Sequence, residues 1–131
     1  MSLLPEPKNT LNPDKIIATL FYFHSQAHFN HLQTTSFAAH KALDKLYKGL
    51  VDFKDSIGEL LLGYIAPKRF SKIETYPVKS GMTDIQLVNE LISFSDKLYD
   101  YGETTKWWAL CNEAADLNGL AQKTKYLLTL S

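Results

Sequence analysis

The sequence lacks the marks of several common protein classes. It has one cysteine, Cys111, in 131 residues, which excludes an intrachain disulfide framework and suits a reducing compartment. Lysine plus arginine and aspartate plus glutamate both total 14, so no net charge attracts the chain to nucleic acid or anionic lipid. No stretch is long and apolar enough to span a bilayer, and the first residues do not have the pattern of a secretion signal. We therefore expect a cytoplasmic protein that does not enter membranes.

Helical periodicity and capping residues predict a short arm followed by one helical domain. Residues 1–12 hold two of the five prolines and little periodic apolar sequence, which predicts an irregular arm. Residues 13–131 then read as four helices, and the third is predicted to stop at Gly102. The predicted helix starts, taken in chain order, are capped by Asn12, by Thr35 or Ser36, by Thr83 with Gln86, and by Thr104 or Thr105.

A long segment between the second and third helices determines how the helices connect. Residues 66–82 contain two prolines and a glycine and are too long for a simple hairpin turn. Extended at about 3.3 Å per residue, the segment reaches about 50 Å, enough to run the length of a helix of roughly 30 residues. The sequence therefore predicts an all-α four-helix bundle with a long crossover, in which the second and third helices run parallel.

Two pairs of metal-binding residue types lie on the second predicted helix. His40 and Asp44 are one helical turn apart, as are Asp55 and Glu59, so each pair projects from one face of the helix. The two pairs lie on one stripe but are roughly 16 Å apart along the axis, at about 1.5 Å rise per residue. A single straight helix therefore cannot close both pairs around one metal.

A second copy of the same helix can bring the pairs together. If two copies pack antiparallel about a two-fold axis near Gly49 and Leu50, His40 and Asp44 of one copy face Asp55 and Glu59 of the other. Gly49 is then expected to permit close approach of the paired helices. A short turn at residues 31–35 folds His28 back beside His40. We therefore predict two identical metal sites per dimer.

The residues in this pattern resemble a known family. The pattern consists of His28, eleven intervening residues, His40, Asp44, ten intervening residues, Asp55 and Glu59. In residue type and spacing it is similar to the ferroxidase signature of Dps-type mini-ferritins, the DNA-protection-during-starvation proteins. The surrounding stretch SFAAHKALDKLYKGLVDFKDSIGELLLG also resembles the second helix of that family. The resemblance implies a ferritin-like four-helix bundle that assembles into a homo-oligomeric shell of twelve subunits, with a two-fold dimer as its smallest unit.

The same resemblance implies an activity. The catalytic residues and metal ligands would be His28, His40 and Asp44 of one subunit and Asp55 and Glu59 of its mate. They would hold two irons shared between the subunits, with Glu59 as a bridge. The reaction would be oxidation of Fe(II) to Fe(III), with hydrogen peroxide preferred as oxidant, followed by iron sequestration and protection from oxidative damage. DNA binding is not expected, because the arm offers only Lys8, with Lys15 just inside the first helix.

Several alternatives stay open beside this interpretation. His24, one turn before His28, is interpreted as a hydrogen-bonded helix residue, and His31 as a polar residue at the helix end. A classical ferritin site inside one bundle is not expected, since no Glu is followed three residues later by His and every histidine precedes residue 41. Two alternatives to the ferroxidase interpretation remain. The chain could be a non-catalytic helical module with a structural zinc at its dimer interface, or a relative that kept the bundle and lost catalysis.

Overall fold

Four helices make up the secondary structure of the described chain. The computed structural model describes residues 11–130, and within that range the chain forms no strand. The helices are α1 (Pro13–Gln33), α2 (Phe37–Tyr64), α3 (Asp84–Thr105) and α4 (Trp108–Leu128). The prediction of an all-α four-helix bundle is confirmed at this level. The predicted arm at residues 1–12 falls, up to residue 10, outside the described residues.

Local capping fixes the starts of the first three helices. The Asn12 side chain accepts the backbone N–H of Lys15 at 2.9 Å, and proline opens α1 in the position where its missing N–H costs nothing. Ser36 caps α2 by accepting from Ala39 at 3.2 Å. Thr83 begins α3 with a reciprocal capping box, as predicted.

The corner between α3 and α4 differs from the prediction. Gly102 does not stop α3, which continues to Thr105 and ends at Lys106 with a left-handed φ of 61°. Thr104 and Thr105 therefore do not cap α4, because their hydroxyls donate back to carbonyls of α3, and α4 begins without a side-chain cap. The glycine is needed for packing instead, since a Cβ at Gly102 would lie 2.7 Å from the Sγ atom of Cys111.

Each helix packs against two neighbours. Helix α1 contacts α2 and α3, and α4 contacts the same two helices, so α2 and α3 lie across a diagonal of the bundle. The core is built from aliphatic side chains of all four helices with no exposed surface, among them Leu20, Leu46, Leu50, Leu91 and Leu117. Cys111 is a buried free thiol, as expected for a small core residue.

The connection between α2 and α3 runs alongside α1. Backbone N–H groups of Ser71 and Lys72 donate to the Asp14 carboxylate at the start of α1, at 3.1 and 3.0 Å. Near the end of α1, Asn30 donates to the carbonyl of Met82 at 3.1 Å. The segment therefore travels the length of α1, so that α3 starts at the end of the bundle where α2 also starts. No helix in the described range is long and apolar enough to cross a membrane.

Candidate metal-binding site

Helix α2 carries four of the five predicted site residues on its outer side. His40 and Asp44 lie in its first third and are half-buried, whereas Asp55 and Glu59 lie in its last third and are exposed. The helix is continuous over 28 residues, so the two pairs stay roughly 16 Å apart at about 1.5 Å rise per residue. One chain therefore presents two separate half-sites, His40 with Asp44 and Asp55 with Glu59.

His28, the fifth predicted residue, lies on the exposed face of α1 and stacks on a tyrosine. Its ring centroid is 4.4 Å from that of Tyr47, with the planes inclined by 27°. The ring centroids of His24 and His31 lie 6.1 and 5.2 Å from that of Tyr47. The turn between α1 and α2 does bring the two helices together as predicted, but the ring that meets His40 is that of His31.

His31 and His40 form a reciprocal pair across this turn. Their rings stack with centroids 3.8 Å apart. The Nδ1 atom of His31 lies 2.9 Å from the carbonyl oxygen of His40, and the Nδ1 atom of His40 lies 2.9 Å from the carbonyl oxygen of His31. A carbonyl oxygen only accepts, so both Nδ1 atoms carry the hydrogen. In its neutral form, each ring then has its lone pair on Nε2.

Asp44 interacts with a lysine of its own helix. The Lys48 ammonium donates to Asp44 Oδ2 at 3.0 Å, and this hydrogen bond lowers the pKa of the Asp44 carboxyl below its ordinary value. The other carboxylate oxygen, Oδ1, lies 4.0 Å from His31 Nε2. Asp44 is thus an anion at neutral pH, held by an exposed lysine that a stronger cation can displace.

Asp55 and Glu59 line a groove between α1, α2 and the long connection. The groove has a volume of about 520 Å³, and its apolar lining includes Phe21 and Val51. These two side chains are 50% and 40% exposed. Lys54 crosses the same region, with its ammonium 4.3 Å from the centre of the Phe21 ring. The acidic half-site is therefore open and bordered by an apolar surface.

The predicted role of Gly49 is wrong. A Cβ at Gly49 would lie 2.8 Å from Cδ2 of Leu120, so the close approach is between α2 and α4 of the same chain. Leu50 has no exposed surface and is likewise part of this chain's core. An axis at this height of α2 would instead pass near Val51, on the outward side of the helix.

The donor groups of the two pairs would suit a metal only if two chains combined them. Within residues 11–130, no three His, Cys, Asp or Glu side chains converge closely enough to hold an ion. One half-site offers imidazole nitrogens with one carboxylate, and the other offers two carboxylates. Together they form a mixed nitrogen and oxygen set that suits Fe(II), Zn(II) or Mn(II).

Two residues of this cluster were missed by the sequence reasoning. His31 was interpreted as a polar helix-end residue, yet it is buried with 8% of its surface exposed and contacts His40 directly. Tyr47, which stacks on His28, is not part of the predicted pattern. The available signal was the spacing of His28 and His31, which are three residues apart and share one side of α1. His24 is a hydrogen-bonded helix residue as predicted, with Nδ1 3.5 Å from the Lys54 ammonium.

Comparison with known proteins places the chain in a family. Residues 31–128 match a family described as a family of unknown function (DUF5856), so the matched region includes both half-sites of α2 and starts at His31. The chain is also 32% identical over 115 residues to an uncharacterized 14.6 kDa protein in the mobD-ri intergenic region of Enterobacteria phage T4, covering 88% of this chain and 83% of that protein. No solved structure matches. This protein therefore belongs to the DUF5856 family.

Proposed function

We propose that the protein oxidises Fe(II) at sites shared between two copies of the chain, with hydrogen peroxide as the preferred oxidant, and sequesters the ferric product. The observation that carries this proposal is the placement of His40, Asp44, Asp55 and Glu59 on the outer side of one unbroken helix. Their types and spacings, together with His28, are those of the ferroxidase site that the sequence resembles. Iron is the substrate of this reaction.

An antiparallel second copy brings the two half-sites together. Under a two-fold axis near the middle of α2, residues whose numbers add to about 99 face each other, so that Asp44 faces Asp55 and His40 faces Glu59. The charges of the helix favour this orientation. Its first half carries Lys41, Lys45 and Lys48 with one acidic residue, Asp44. Its second half carries Asp52, Asp55 and Glu59 with one basic residue, Lys54. Antiparallel pairing places the basic half of each copy beside the acidic half of the other.

The paired half-sites need a cation between them. Asp44 of one copy and Asp55 and Glu59 of the other are three carboxylates, which repel one another unless positive charge lies among them. Fe(II) supplies that charge, and in the proposed site it displaces the Lys48 ammonium from Asp44. The harder and more highly charged Fe(III) binds carboxylate oxygen more strongly still, so the ligands favour the oxidised product.

The proposed redox step consumes two irons per peroxide. Each Fe(II) gives up one electron, and hydrogen peroxide takes both electrons and two protons as its O–O bond breaks, which yields two water molecules. Pairing the irons allows the two electrons to be delivered together, without release of hydroxyl radical. By resemblance, the residues that would bind and orient the iron are His28, His40, Asp44, Asp55 and Glu59, and Glu59 would bridge the two ions.

The arrangement of the helices supports the ferritin-like part of the proposal. A connection that runs the length of α1 and leaves α2 and α3 parallel is the crossover used by ferritin-like bundles. We extend the proposal to a twelve-subunit shell in the cytoplasm by resemblance. DNA binding is not part of it, since basic and acidic side chains are equal in number.

Iron oxidation can be measured directly. The native protein is loaded with Fe(II) without oxygen and given a pulse of hydrogen peroxide while ferric absorbance is followed. Asp55→Ala removes a ligand and is expected to abolish most of the protein-dependent oxidation. Asp116→Ala, which removes an exposed carboxylate from α4, is the matched control and should behave as the native protein does.

Two results would count against the proposal. The ferroxidase function fails if the native protein oxidises iron no faster than buffer. The proposed ligand set fails if Asp55→Ala is as fast as the native protein. If the native protein instead holds Zn(II) tightly and turns over no iron, the non-catalytic module with a structural zinc is the correct function. The nitrogen-rich His31 and His40 end of the site favours that second candidate, because imidazole is a common zinc ligand.

A further inference from the structure

His31 has a place in the cluster that the five-residue pattern does not give it. It lies in the last turn of α1, and its ring is between those of His28, at 6.1 Å, and His40, at 3.8 Å. Its side chain is only 10% exposed, yet it is directed at the half-exposed Asp44 carboxylate and away from the apolar core. A buried histidine at this position needs a polar partner on each of its two nitrogens.

The first nitrogen of His31 has such a partner. Nδ1 donates its hydrogen to the carbonyl oxygen of His40 at 2.9 Å, which fixes the tautomer and the orientation of the ring. Metal-binding histidines typically donate one ring N–H to a carbonyl or carboxylate in this way, because that bond leaves the other nitrogen free to coordinate. The backbone contact therefore prepares Nε2 of His31 as a ligand.

The second nitrogen of His31 faces a negative group. Nε2 lies 4.0 Å from Asp44 Oδ1, too far for a direct hydrogen bond. In the neutral ring this places a lone pair opposite a carboxylate oxygen, an arrangement that becomes favourable when a cation, or a water molecule that donates to both atoms, lies between them. Metal bonds to nitrogen and oxygen are about 2.0–2.2 Å, so two ligand atoms of one ion lie about 3.4 Å apart in tetrahedral geometry and about 4.2 Å apart in linear geometry.

We propose that His31 Nε2 and Asp44 Oδ1 bind one divalent metal ion together, which makes His31 a ligand of the shared site. The separation of 4.0 Å is about 0.6 Å longer than the tetrahedral value, and a small rotation of the half-exposed Asp44 side chain would close it. The metal class is a borderline divalent ion such as Fe(II) or Zn(II). This inference deepens the proposed function and rests on it for the ligands that the second copy supplies.

The imidazole nitrogens report directly on this inference. The native protein, labelled with ¹⁵N, is titrated with Zn(II) as a diamagnetic probe at a pH where histidines are neutral, and two-bond ¹H–¹⁵N spectra are recorded. Before zinc is added, His31 is expected to show the Nδ1–H tautomer. On addition of zinc, its Nε2 resonance should move to the position of a metal-bound nitrogen, together with a change at Asp44.

Substitutions give a second measure of the same contact. His31→Phe keeps an aromatic ring against His40 but has no nitrogen, and we expect its dissociation constant for Zn(II) to rise by at least about tenfold. His24→Gln is the control, since it removes a neighbouring histidine that has no part in the site, and its affinity should match that of the native protein. Far-ultraviolet circular dichroism establishes that each variant is folded.

The outcomes separate the inference from the proposed function. If zinc moves the nitrogens of His40 and binds with an affinity that depends on Asp55, while His31 Nε2 stays unchanged, the inference is wrong and the shared site survives. If the native protein binds no zinc at millimolar concentration, the role of His31 as a ligand and the shared metal site are both wrong. If Nε2 of His31 carries a proton at neutral pH and stays protonated when zinc is added, the positive charge facing Asp44 is that proton, and the inference is also wrong.

Discussion

A buried glutamine fixes the long connection to α1, and replacing it tests the fold that positions the site. Gln26 has no exposed surface. Its Oε1 accepts the backbone N–H of Lys79 at 2.8 Å, and its Nε2 donates to the Lys79 carbonyl at 2.9 Å and to Asn30 Oδ1 at 2.7 Å. The amide of one side chain thus pairs with both backbone groups of one residue in the connection.

Gln26→Leu keeps the size of the side chain and removes all three hydrogen bonds. Each is worth about 0.5–1.5 kcal/mol net, which sums to about 3 kcal/mol. Lys79 is exposed, so water can replace part of what its backbone loses. We therefore expect the free energy of unfolding to fall by about 1–3 kcal/mol, and the Lys79 amide to exchange its hydrogen faster. Urea unfolding followed by circular dichroism and hydrogen exchange by NMR measure the two effects.

The control for Gln26→Leu is the same substitution on an exposed helix surface. Gln122→Leu on α4 should change the free energy of unfolding by less than about 0.5 kcal/mol. The reasoning is refuted if Gln26→Leu unfolds at the urea concentration of the native protein and the Lys79 amide exchanges at the native rate. An equal loss of stability in both variants would show that added apolar surface, and not the lost hydrogen bonds, is the cause.

Two further predictions concern packing and pH. Gly102→Ala should lower the free energy of unfolding by about 1–2 kcal/mol, because its Cβ would lie 3.1 Å from the backbone nitrogen of Cys111. A Cβ at Gly63 would meet nothing within 4 Å, so Gly63→Ala should raise the free energy of unfolding by about 0.5–1 kcal/mol. Urea unfolding of both variants measures these changes. Burial first, and then the Lys54 ammonium, lower the pKa of His24 from its ordinary 6.5. The unfolded chain therefore binds the proton first, so the contribution of His24 to stability is complete above about pH 6.5 and is lost as the pH falls towards the folded pKa. Lys54→Met should raise the His24 midpoint in an NMR titration, and an unchanged midpoint would rule out the electrostatic cause.

The starts of the first three helices were predictable because their causes are local in sequence. Asn12, Ser36 and Thr83 each accept the backbone N–H of the residue three positions ahead, so a short window of sequence contains the whole interaction. The end of α3 was not predictable in this way. Gly102 reads as a helix stop, but it lies inside the helix because α4 returns close to it through Cys111. A contact between residues nine apart across a corner outweighed the local preference.

The same distinction applies to the candidate site. Helical spacing was enough to place the pairs His40 with Asp44 and Asp55 with Glu59, and to separate them along α2. It was not enough to find the partner of His40, because the His31 ring reaches it through the geometry of the turn between α1 and α2. Nor could it tell which side of α2 the bundle uses.

The surface left for a second copy bears on how the proposed site would assemble. Several aliphatic side chains of α2 are fully buried in the bundle of their own chain, among them Leu43, Leu46, Leu50, Ile57 and Leu61. The outward stripe that holds both half-sites also carries apolar side chains, namely Phe37, Val51 and Leu62, with Phe21 of α1 nearby. These apolar side chains alternate with charged ones along the stripe. In the proposed dimer, the metal that neutralises the facing carboxylates also contributes to holding the copies together, because an ion that binds only the paired state stabilises that state.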